Sequence, residues 1–464
     1  MAKKTKSADL SIEEKLEQAL VVPGYEPYKI PDNWCWTTVG TVTNIYRGVS
    51  YKKNEGHSEK HMNDCLVLRG GNIQEGSIDT ETDNVFVNRD LVSGTQIIRK
   101  YDVIIVSSTG SKKVIGRAGI SFSDYSDVAF GAFLTLVRAN DYIYKPFIAY
   151  YLQSDIYRNR IRTLASGVNI NNIRNEYITE TPLSLPPLPE QQRIVERIES
   201  LFSKLDEAKE KAQEVIDSFE TRKAAILHKA FSGELTAKWR EENGVGIESW
   251  ERKTLGEVCN SIFDGDHMPP PKSESGIPFL VISNVNDGYL SFENTRFVPQ
   301  EYYDAITDTR KPEKGDVLYT LVGSFGIPVV VDTNAPFCFQ RHMALLKPKS
   351  INTYFLWYLL QSQEMYQKAS SIAKGVAQLT VPIKGLRLMD FNRPSEEEQI
   401  EIVRILDSLL EKEDTSKDNA ESIIDQIETM KKAILAHAFR GELGTNDPEE
   451  ESAVELLKRI LTGE

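Results

Sequence analysis

Two long stretches of the chain place apolar residues alternately three and four positions apart, with mostly charged residues between them. The first stretch follows a proline-rich segment at 186–189. Its apolar stripe consists of Ile194, Ile198, Leu201, Leu205, Ala208, Ala212, Val215 and Phe219. This is the a/d spacing of coiled coils, so it predicts a helix over residues 190–231 that packs against another helix.

The second stretch continues the same pattern near the end of the chain. Its stripe consists of Ile402, Leu406, Leu409, Ala420, Ile423 and Ile427. Glu413 and Ser416 interrupt it, so looser packing is predicted there. Gly233 and Gly441 follow the two stretches, and glycine commonly ends a helix. We expect the helices to bury their stripes on each other as an antiparallel coiled coil; the alternative is that each helix packs on its own domain.

Short apolar runs alternate with Gly, Asn, Asp and Ser turns elsewhere, which is typical of β-strands. In the first region the predicted strands are 65–68, 85–87, 103–106 and 133–137, with a helix at 146–164. In the second they are 279–282, 317–319, 329–331 and 344–346, with a helix near 354–369. A capping pattern at Ser11 predicts a further helix to about Leu20. The fold class is therefore α+β, with two tandem domains of mixed sheet plus helices, separated and followed by the long helices.

The order of elements recurs because the sequence itself is duplicated. Residues 221–235 and 429–443 share ten of fifteen positions, and Glu190-Gln191 recurs as Glu398-Gln399 at the same offset of 208. Two copies of this length indicate duplication and not a stacked repeat array. The predicted segments are an N-terminal extension (1–26), a first globular domain (27–185), a helical spacer (186–245), a second globular domain (246–393), a second helical spacer (394–443) and an acidic tail (444–464).

Charge is distributed unevenly along the 464 residues, whose net charge is −13. Residues 27–185 carry 18 Lys and Arg against 16 Asp and Glu, and residues 246–393 carry 15 against 16. Residues 394–464 carry 8 against 19, so most of the acidity lies there. Each globular domain can therefore present a basic face, although long-range attraction to DNA would need positive surface from partners.

Cysteine usage and hydropathy indicate the cellular compartment. The four cysteines are dispersed without a CxxC pair, which favours a reducing, cytoplasmic location over a disulfide framework or a zinc site. No apolar run approaches the roughly 18 residues that a membrane helix needs.

Motifs of catalysis are missing from the sequence. There is no G-x-x-x-x-G-K-[ST] loop and no G-x-G-x-x-G after a strand, and the run 268–271 has prolines without the acid-amide or the ring of an amino-methyltransferase tetrad. His57 and His61, with Asp64 nearby, could ligate a metal, but their strongly polar surroundings favour a solvated loop. The sequence predicts a non-catalytic chain without a metal or cofactor of its own.

Loops after the predicted strands carry side chains suited to binding nucleic acid. Guanidinium and amide groups pair with base edges, while hydroxyl and ammonium groups bind phosphates. The candidates of the first domain are Arg47, Tyr51, Lys52, Lys53, Arg69, Asn72, Gln74, Ser107, Ser108, Ser111, Lys112, Lys113, Asn169, Asn171 and Asn172. Those of the second domain are Asn284, Asn286, Ser324, Arg341 and His342. Each alone could be an ordinary surface turn. Equivalent loops with different side chains in both copies favour the recognition of two different targets.

Several of these segments together resemble the specificity (S) subunits of Type I restriction–modification systems over essentially the whole chain. The similar segments are the pair beginning 187–191 and 395–399, the pair ending 230–235 and 438–443, the opening Trp34 with 48–51, and the run 165–173. The polar break in the second helix departs from the first copy and leaves the packing there open.

The resemblance implies two target-recognition domains, each reading half of a bipartite double-stranded DNA target, with the helices setting the spacer. It implies assembly with two modification subunits, which use S-adenosylmethionine to methylate adenine, and with two restriction subunits, which use ATP and Mg²⁺. Two rivals stay open at this point: a stand-alone DNA-modifying enzyme, and an adaptor whose paired domains bind peptides. A methylating system without a restriction subunit is equally compatible with the sequence.

Overall fold

The computed structural model describes residues 10–111, 113–165, 172–265, 270–376 and 378–463. The chain forms two compact units. The first unit comprises the chain up to Lys211 together with Ile423 onwards, and the second unit comprises Ala212–Ser422. Each of the two long helices contributes residues to both units.

The first unit contains the following elements. Its strands are β1 (Cys35–Thr38), β2 (Thr43–Arg47), β3 (Asp64–Leu68), β4 (Phe86–Asn88), β5 (Val103–Val106), β6 (Ala118–Ile120), β7 (Val128–Phe130), β8 (Leu134–Ala139) and β9 (Pro182–Leu185). Its helices are α1 (Ile12–Ala19), α2 (Val39–Val42), α3 (Lys145–Tyr151), α4 (Asp155–Ala165), α5 (Asn175–Thr179) and the first part of α6 (Leu188–Asp217).

The second unit repeats this order. Its strands are β10 (Glu251–Thr254), β11 (Cys259–Asp264), β12 (Ile277–Leu280), β13 (Arg296–Val298), β14 (Val317–Thr320), β15 (Pro328–Val330), β16 (Cys338–Phe339), β17 (Met343–Pro348) and β18 (Asp390–Arg393). Its helices are α7 (Phe219–Phe231), α8 (Ala237–Asn243), α9 (Leu255–Val258), α10 (Gln300–Asp304), α11 (Thr353–Gln361), α12 (Gln363–Ile372), α13 (Ile383–Leu388) and α14 (Glu396–Ala438). The end of α14 and helix α15 (Ala453–Thr462) belong to the first unit.

Both units build the same three sheets. The first unit has an antiparallel sheet in the order β2-β8-β5-β6, a mixed sheet β4-β3-β7 and an antiparallel pair β1-β9. The second unit has β11-β17-β14-β15, β13-β12-β16 and β10-β18. The strands therefore correspond one to one, and the predicted α+β class with two tandem mixed domains is confirmed.

The helix predicted over 146–164 is two helices, with Ser154 between them. Helix α3 ends at Tyr151, and the Ser154 hydroxyl donates to the Tyr151 carbonyl at 2.6 Å before α4 begins. In the second unit Ser362 plays the comparable part, because its side chain accepts from the Met365 amide at the start of α12. The helix predicted from Ser11 is confirmed as α1, with the capping box between Ser11 and Glu14.

The repeated Glu-Gln pair anchors each long helix to its own unit. Glu190 accepts from the Trp34 indole at 2.7 Å, and Glu398 accepts from the Trp250 indole at 2.8 Å. These carboxylates are buried, so the hydrogen bonds replace the water that each has lost. The matching tryptophans and glutamates of the sequence repeat are therefore partners in space.

The glutamine of each pair makes a second set of contacts, which recurs in both copies. Gln191 donates to the Pro186 carbonyl and accepts from the Tyr144 amide, which precedes α3. Gln399 donates to the Pro394 carbonyl and accepts from the Asn352 amide, which caps α11. Each glutamine thus fixes the start of its long helix to the helix that follows β8 or β17.

The long helices pair in antiparallel orientation inside the first unit. Lys209 contacts Glu428 at 2.7 Å, and Asp206 contacts Lys431 at 2.5 Å. Residue numbers thus increase along α14 in the direction in which they decrease along α6. Leu435 and Ala438 of α14 join the same apolar core as Ile198 of α6. The predicted antiparallel pairing is confirmed. Both helices also pack on the first domain here, whereas the alternative had each helix on its own domain.

The structure corrects which residues of the predicted stripes are buried, and it corrects the length of the first helix. Ala208 and Ile423 are exposed, whereas Leu410 is buried. Ile402, Leu406 and Leu410 follow one another at intervals of four, so the buried face drifts away from the strict heptad. The first stretch is also not one helix, because α6 and α7 are separated at Ser218.

The polar break in the second stripe carries an ion pair inside the second unit. Arg222 of α7 contacts Glu413 of α14 at 2.6 Å, and both side chains are partly buried. The arginine also donates to the Val215 carbonyl beside the interruption at Ser218. Glu413 interrupts the apolar stripe, but its charge is paired with Arg222.

Helices α1 and α15, the first and last described helices of the chain, pack in the first unit. The Ala453 amide donates to the Asn33 carbonyl at 2.9 Å, and the Asn446 side chain donates to Asn33 and to buried Glu190. Helix α15 lies against α1 and buries Leu456 and Leu457 in the core. The acidic tail is thus an ordered part of the first unit.

The remaining sequence predictions on cysteine and membrane are tested directly. None of the four cysteines forms a disulfide, and all four are buried. Within the described ranges, no helix combines the length and apolar content required to cross a bilayer.

Candidate nucleic-acid interface

A polar cleft of about 560 Å³ lies at one end of the sheet β2-β8-β5-β6 in the first unit. Arg47 at the end of β2, Ser107 and Ser108 after β5, and Asn172 before α5 all line it. The structure therefore brings together four of the predicted residues, which come from three distant segments of the chain.

Main-chain hydrogen bonds give this cleft its shape. The amides of Ser107 and Ser108 both donate to the Phe133 carbonyl, at 3.1 and 3.0 Å. The Ile173 amide donates to the Ser107 carbonyl at 2.7 Å, and Asn172 forms a bridge with Ser108. The side chains of Ser108 and Asn172 take no part in these main-chain bonds, and both residues line the cleft. Their polar groups are therefore candidates for binding a ligand there.

Gly48 is required where β2 enters the cleft. A Cβ atom at this position would lie 2.1 Å from the Gly131 carbonyl oxygen, far inside any normal contact. In the second unit Gly265 follows β11, and its Cβ would lie 2.2 Å from the Phe339 carbonyl oxygen. Both domains therefore use the same close backbone approach at this edge.

The charged residues that line the first cleft are two arginines and one glutamate. Arg47 and Arg174 are exposed and form no ion pair with any described residue, and Glu176 is the single acidic residue of the lining. Sequence analysis missed Ser50, Arg174 and Asn175. The signal for the last two was present, because they directly follow the asparagine-rich run that ends at Ile173.

The loop after β2 presents two further cations outside the cleft. Lys52 and Lys53 are exposed and unpaired within the described ranges, while the Tyr51 ring packs against a small apolar cluster. Gln74 is exposed, and its side chain donates to the Gly71 carbonyl at 3.2 Å. Arg69 forms an ion pair with Asp83 at 2.5 Å, so it is the least available of these cations.

Asn72 and Asn284 occupy equivalent positions and hold their own loops together. The Asn72 side chain accepts from the Arg69 amide at 2.8 Å and donates to the Thr82 carbonyl. Asn284 accepts from the Val281 amide at 3.0 Å and donates to the Glu293 carbonyl. Both amides are buried and already partnered, which gives them a structural duty that the sequence did not reveal.

The other predicted residues of the first domain are scattered or not described. Ser111 and Lys113 are exposed in the turn after β5. Lys112, Asn169 and Asn171 lie outside the described residues.

The second unit repeats the backbone of the cleft with different side chains. The Leu321 amide donates to the His342 carbonyl, the Val381 amide donates to the Leu321 carbonyl, and Val322 bridges Thr380. Leu321, Val322 and Thr380 thus stand where the first unit has Ser107, Ser108 and Asn172. Asp264, at the end of β11, stands where the first unit has Arg47.

The predicted residues of the second domain lie along this same edge or on neighbouring loops. Asn286, Ser324 and Arg341 are exposed. His342 is partly buried, and burial, with the nearby Arg341 charge, lowers its pKa below the ordinary value. The imidazole is therefore neutral at pH 7 and can donate or accept a hydrogen bond.

Taken together, the two edges offer hydrogen-bond donors and acceptors on a common backbone frame. Guanidinium, amide, hydroxyl and carboxylate groups can each read base edges, and the cations can contact phosphates. The first edge presents Arg47 at the place where the second edge has the Asp264 carboxylate, so the two edges differ in charge there.

Comparison with known proteins gives the family. The model for the Type I restriction modification DNA specificity domain matches residues 31–217 and 247–428. The chain is 29% identical over 451 residues to the specificity subunit of the type I restriction enzyme EcoKI of Escherichia coli K12, covering 93% of this chain and 96% of that protein. It is also 29% identical to the StySPI specificity subunit of Salmonella potsdam, covering 89% and 90%.

Solved structures share the fold. A chain from a structural study of assembly and conformational transition in the type I R-M system superposes with a TM-score of 0.66 at 21% identity, covering 90% of this chain and all of that one. The HsdS subunit of Thermoanaerobacter tengcongensis superposes with a TM-score of 0.59 at 23% identity, covering 90% and 99%.

Proposed function

The chain belongs to the Type I restriction modification DNA specificity family, and we propose on that basis that it is the DNA specificity subunit of a type I restriction–modification complex. The observation that carries the proposal is internal to the chain. Two domains repeat one backbone frame but place different side chains at equivalent positions, as two readers of different sequences must.

Each domain reads one half of a bipartite double-stranded DNA target. In the first domain Arg47, Ser108, Asn172 and Arg174 contact bases and phosphates from the cleft, and Lys52 and Lys53 contact the backbone alongside. In the second domain Arg341, His342, Ser324 and Asn286 serve the other half-site, with Asp264 at the place of Arg47. An aspartate suits the cytosine amino group, whereas an arginine suits guanine.

The paired helices set the spacer between the half-sites and dock the partners. We assign to those partners the two modification subunits, which use S-adenosylmethionine, and two restriction subunits, which use ATP and Mg²⁺. The chain itself is non-catalytic and acts in the cytoplasm. Its net charge of −13 supports the need for partners, since a solitary acidic chain attracts DNA weakly.

Domain exchange tests this assignment. We replace residues 27–185 with the matching segment of another family member, express the chimera with its modification subunits, and sequence the methylated sites of the host genome. One half-site should change, while the other half-site and the spacer length stay as in the wild type. A change in both half-sites, or in neither, would remove recognition from the first domain.

The rival functions predict different results with the purified proteins. A stand-alone methyltransferase would transfer labelled methyl groups from S-adenosylmethionine to DNA without any partner, and we expect no transfer. A peptide-binding adaptor would leave the reconstituted complex without specific affinity for DNA. We expect specific binding that weakens steeply with salt concentration, because phosphate contacts release counterions.

A further inference from the structure

The connection between β2 and β3 brings together two imidazoles and a carboxylate that the proposed function does not use. His57 and His61 belong to this connection, and Asp64 is the first residue of β3. The sequence favoured a solvated loop for these residues. Instead, the nitrogen and oxygen atoms that each could offer to a metal all lie within 4.8 Å of one another.

Two of the separations between donor atoms lie on either side of the separation expected for two ligands of one transition-metal ion. His57 Nε2 lies 2.6 Å from Asp64 Oδ2, and His61 Nδ1 lies 3.4 Å from the same oxygen. Two ligands on one tetrahedral zinc ion are about 3.3 Å apart, given bonds of roughly 2.0–2.2 Å. All three donor atoms lie within 4.8 Å of one another, so they can reach one ion if the rings turn to equalise these distances.

Asp64 supplies a reason for a cation at this place. Its side chain is 4% exposed, and no lysine or arginine within the described ranges forms an ion pair with it. The nearest lysine, Lys60, contacts Asp127 at 2.6 Å instead. The Asp64 carboxylate accepts from the His61 amide at 2.8 Å and contacts the His57 imidazole at 2.6 Å. A bound metal ion would in addition neutralise the charge of this buried carboxylate.

An open cleft above the cluster provides space and further donors. It measures about 440 Å³, and Glu55, Asn88 and Asp90 line it beside the three residues. The His57 main chain exchanges two hydrogen bonds with Phe86 of β4, which holds one imidazole at a fixed place on the sheet. The cluster is thus a prepared site with an accessible side, and not three side chains on a free loop.

We propose that His57, His61 and Asp64 bind one divalent transition-metal ion, of which zinc fits this donor set best. Two imidazole nitrogens and one carboxylate oxygen hold the ion, and water or an oxygen of the cleft completes its shell. Among the described residues this is the single group of three or more His, Cys, Asp or Glu side chains with such spacing.

Metal binding would fix the loop that carries Lys52 and Lys53. The ion ties His57 and His61 to the start of β3, and so closes the connection that presents these two lysines. It also adds positive charge to the same edge. Resting on the proposed function, this part predicts that metal strengthens binding of the first half-site and leaves the second unaffected.

The test measures metal binding separately from DNA binding. The full chain, freed of any polyhistidine tag and treated with chelator, is titrated with zinc by calorimetry and with cobalt by visible absorption. The variants are His57→Gln/His61→Gln, Asp64→Asn, and His437→Gln as a matched control. His437 is exposed and contacts Glu442 at 2.6 Å, so it offers an imidazole–carboxylate pair without the second imidazole.

We expect one tight equivalent of zinc and the absorption bands of four-coordinate cobalt in the wild type and in His437→Gln. In the double variant and in Asp64→Asn the affinity should fall at least tenfold. As a readout that needs no variant, zinc should protect His57 and His61, but not His437, from chemical modification mapped by mass spectrometry.

Three outcomes overturn the proposal. They are a wild type that binds no stoichiometric zinc, binding that survives the double substitution, and protection that is equal at His437. The contacts of Asp64 would then be only those to the His57 imidazole and the His61 amide. Zinc binding without any effect on DNA would keep the metal site and refute only its link to the proposed function.

Discussion

A single missing side chain decides how closely two segments approach at the recognition edge of the first domain. Gly48 meets the Gly131 carbonyl where any Cβ would overlap it. We predict that Gly48→Ala lowers the free energy of unfolding by about 1–3 kcal/mol, because β2 must move away from the Gly131 segment. Chemical denaturation measures the effect.

The matched control for that substitution is Gly94→Ala in the same unit. A Cβ at Gly94 meets nothing within 4 Å, so its effect should stay within about 0.5 kcal/mol. Equal losses for the two variants would show that close approach is not the reason for Gly48.

Arg47 is the residue whose loss should change DNA binding without changing the fold. It is exposed in the cleft and forms no ion pair with any described residue, so Arg47→Ala should be nearly neutral for stability. We predict a loss of about 1–3 kcal/mol in specific binding by the reconstituted complex, if the guanidinium reads a base.

Binding to DNA variants separates base reading from phosphate contact. Loss of discrimination at one position of the first half-site identifies a base contact, whereas a uniform loss with a shallower salt dependence identifies a phosphate contact. Lys145→Ala serves as the control, because Lys145 is an exposed cation that already pairs with Asp141 at 3.1 Å. An unchanged affinity in Arg47→Ala would place the recognition surface elsewhere.

At the scale of elements, helix α8 is fastened to the start of α14 by a buried ion pair. Arg240 contacts Glu398 at 2.6 Å, and the two side chains are 9% and 1% exposed. We predict that Arg240→Met destabilises the chain by about 3–5 kcal/mol, because it leaves the Glu398 charge buried with fewer partners. Lys238→Met is the matched control.

Lys238 lies on the same helix and contacts Glu242 at 3.6 Å in an exposed pair. Its replacement should cost about 0–1 kcal/mol in thermal or chemical unfolding. A similar small cost for Arg240→Met would mean that the Trp250 and Thr236 hydrogen bonds hold Glu398 sufficiently by themselves.

Sequence periodicity predicted the elements with a clear apolar run or stripe, and missed short strands that lack one. Strand β5 has the predicted bounds, and α7 and α14 end before Gly233 and Gly441 as expected. The pair β1-β9 was not predicted, because its two strands mix polar and apolar residues and lie far apart in the chain. Their pairing is decided by tertiary contact.

The candidate site was predicted in part for the same reason. Loop chemistry identified Arg47, Ser108 and Asn172, but only the fold shows that they share one cleft. Loop chemistry also selected Asn72, but its side-chain amide is already hydrogen-bonded to the main chain of Arg69 and Thr82. An asparagine that stabilises a turn and an asparagine that binds a base cannot be told apart in the sequence, since both follow a strand and precede a turn.

At the scale of the whole molecule, the long helices are the segments whose length should set the DNA spacer. We predict that deleting 208–214 together with 423–429 shortens the spacer by a few base pairs and preserves both half-sites. Seven residues of helix correspond to a rise on the order of 10 Å. Methylated-site sequencing of cells expressing the variant complex measures the spacer.

These two windows are chosen from the contacts of the first unit. They remove Lys209 and Glu428 together, and they keep the Asp206–Lys431 contact. Deleting the seven residues from one helix alone is the control, and it should abolish methylation because the remaining partners lose register. An unchanged spacer after the double deletion would assign spacer length to the partners.

The backbone origin of the cleft has a consequence for how this protein can change. Because main-chain amides and carbonyls hold Ser107, Ser108 and Ile173 in place, mutations among the neighbouring side chains incur little folding penalty. If these side chains read DNA as we propose, substitutions here would change one half of the target sequence, while the backbone frame and the other half stay the same.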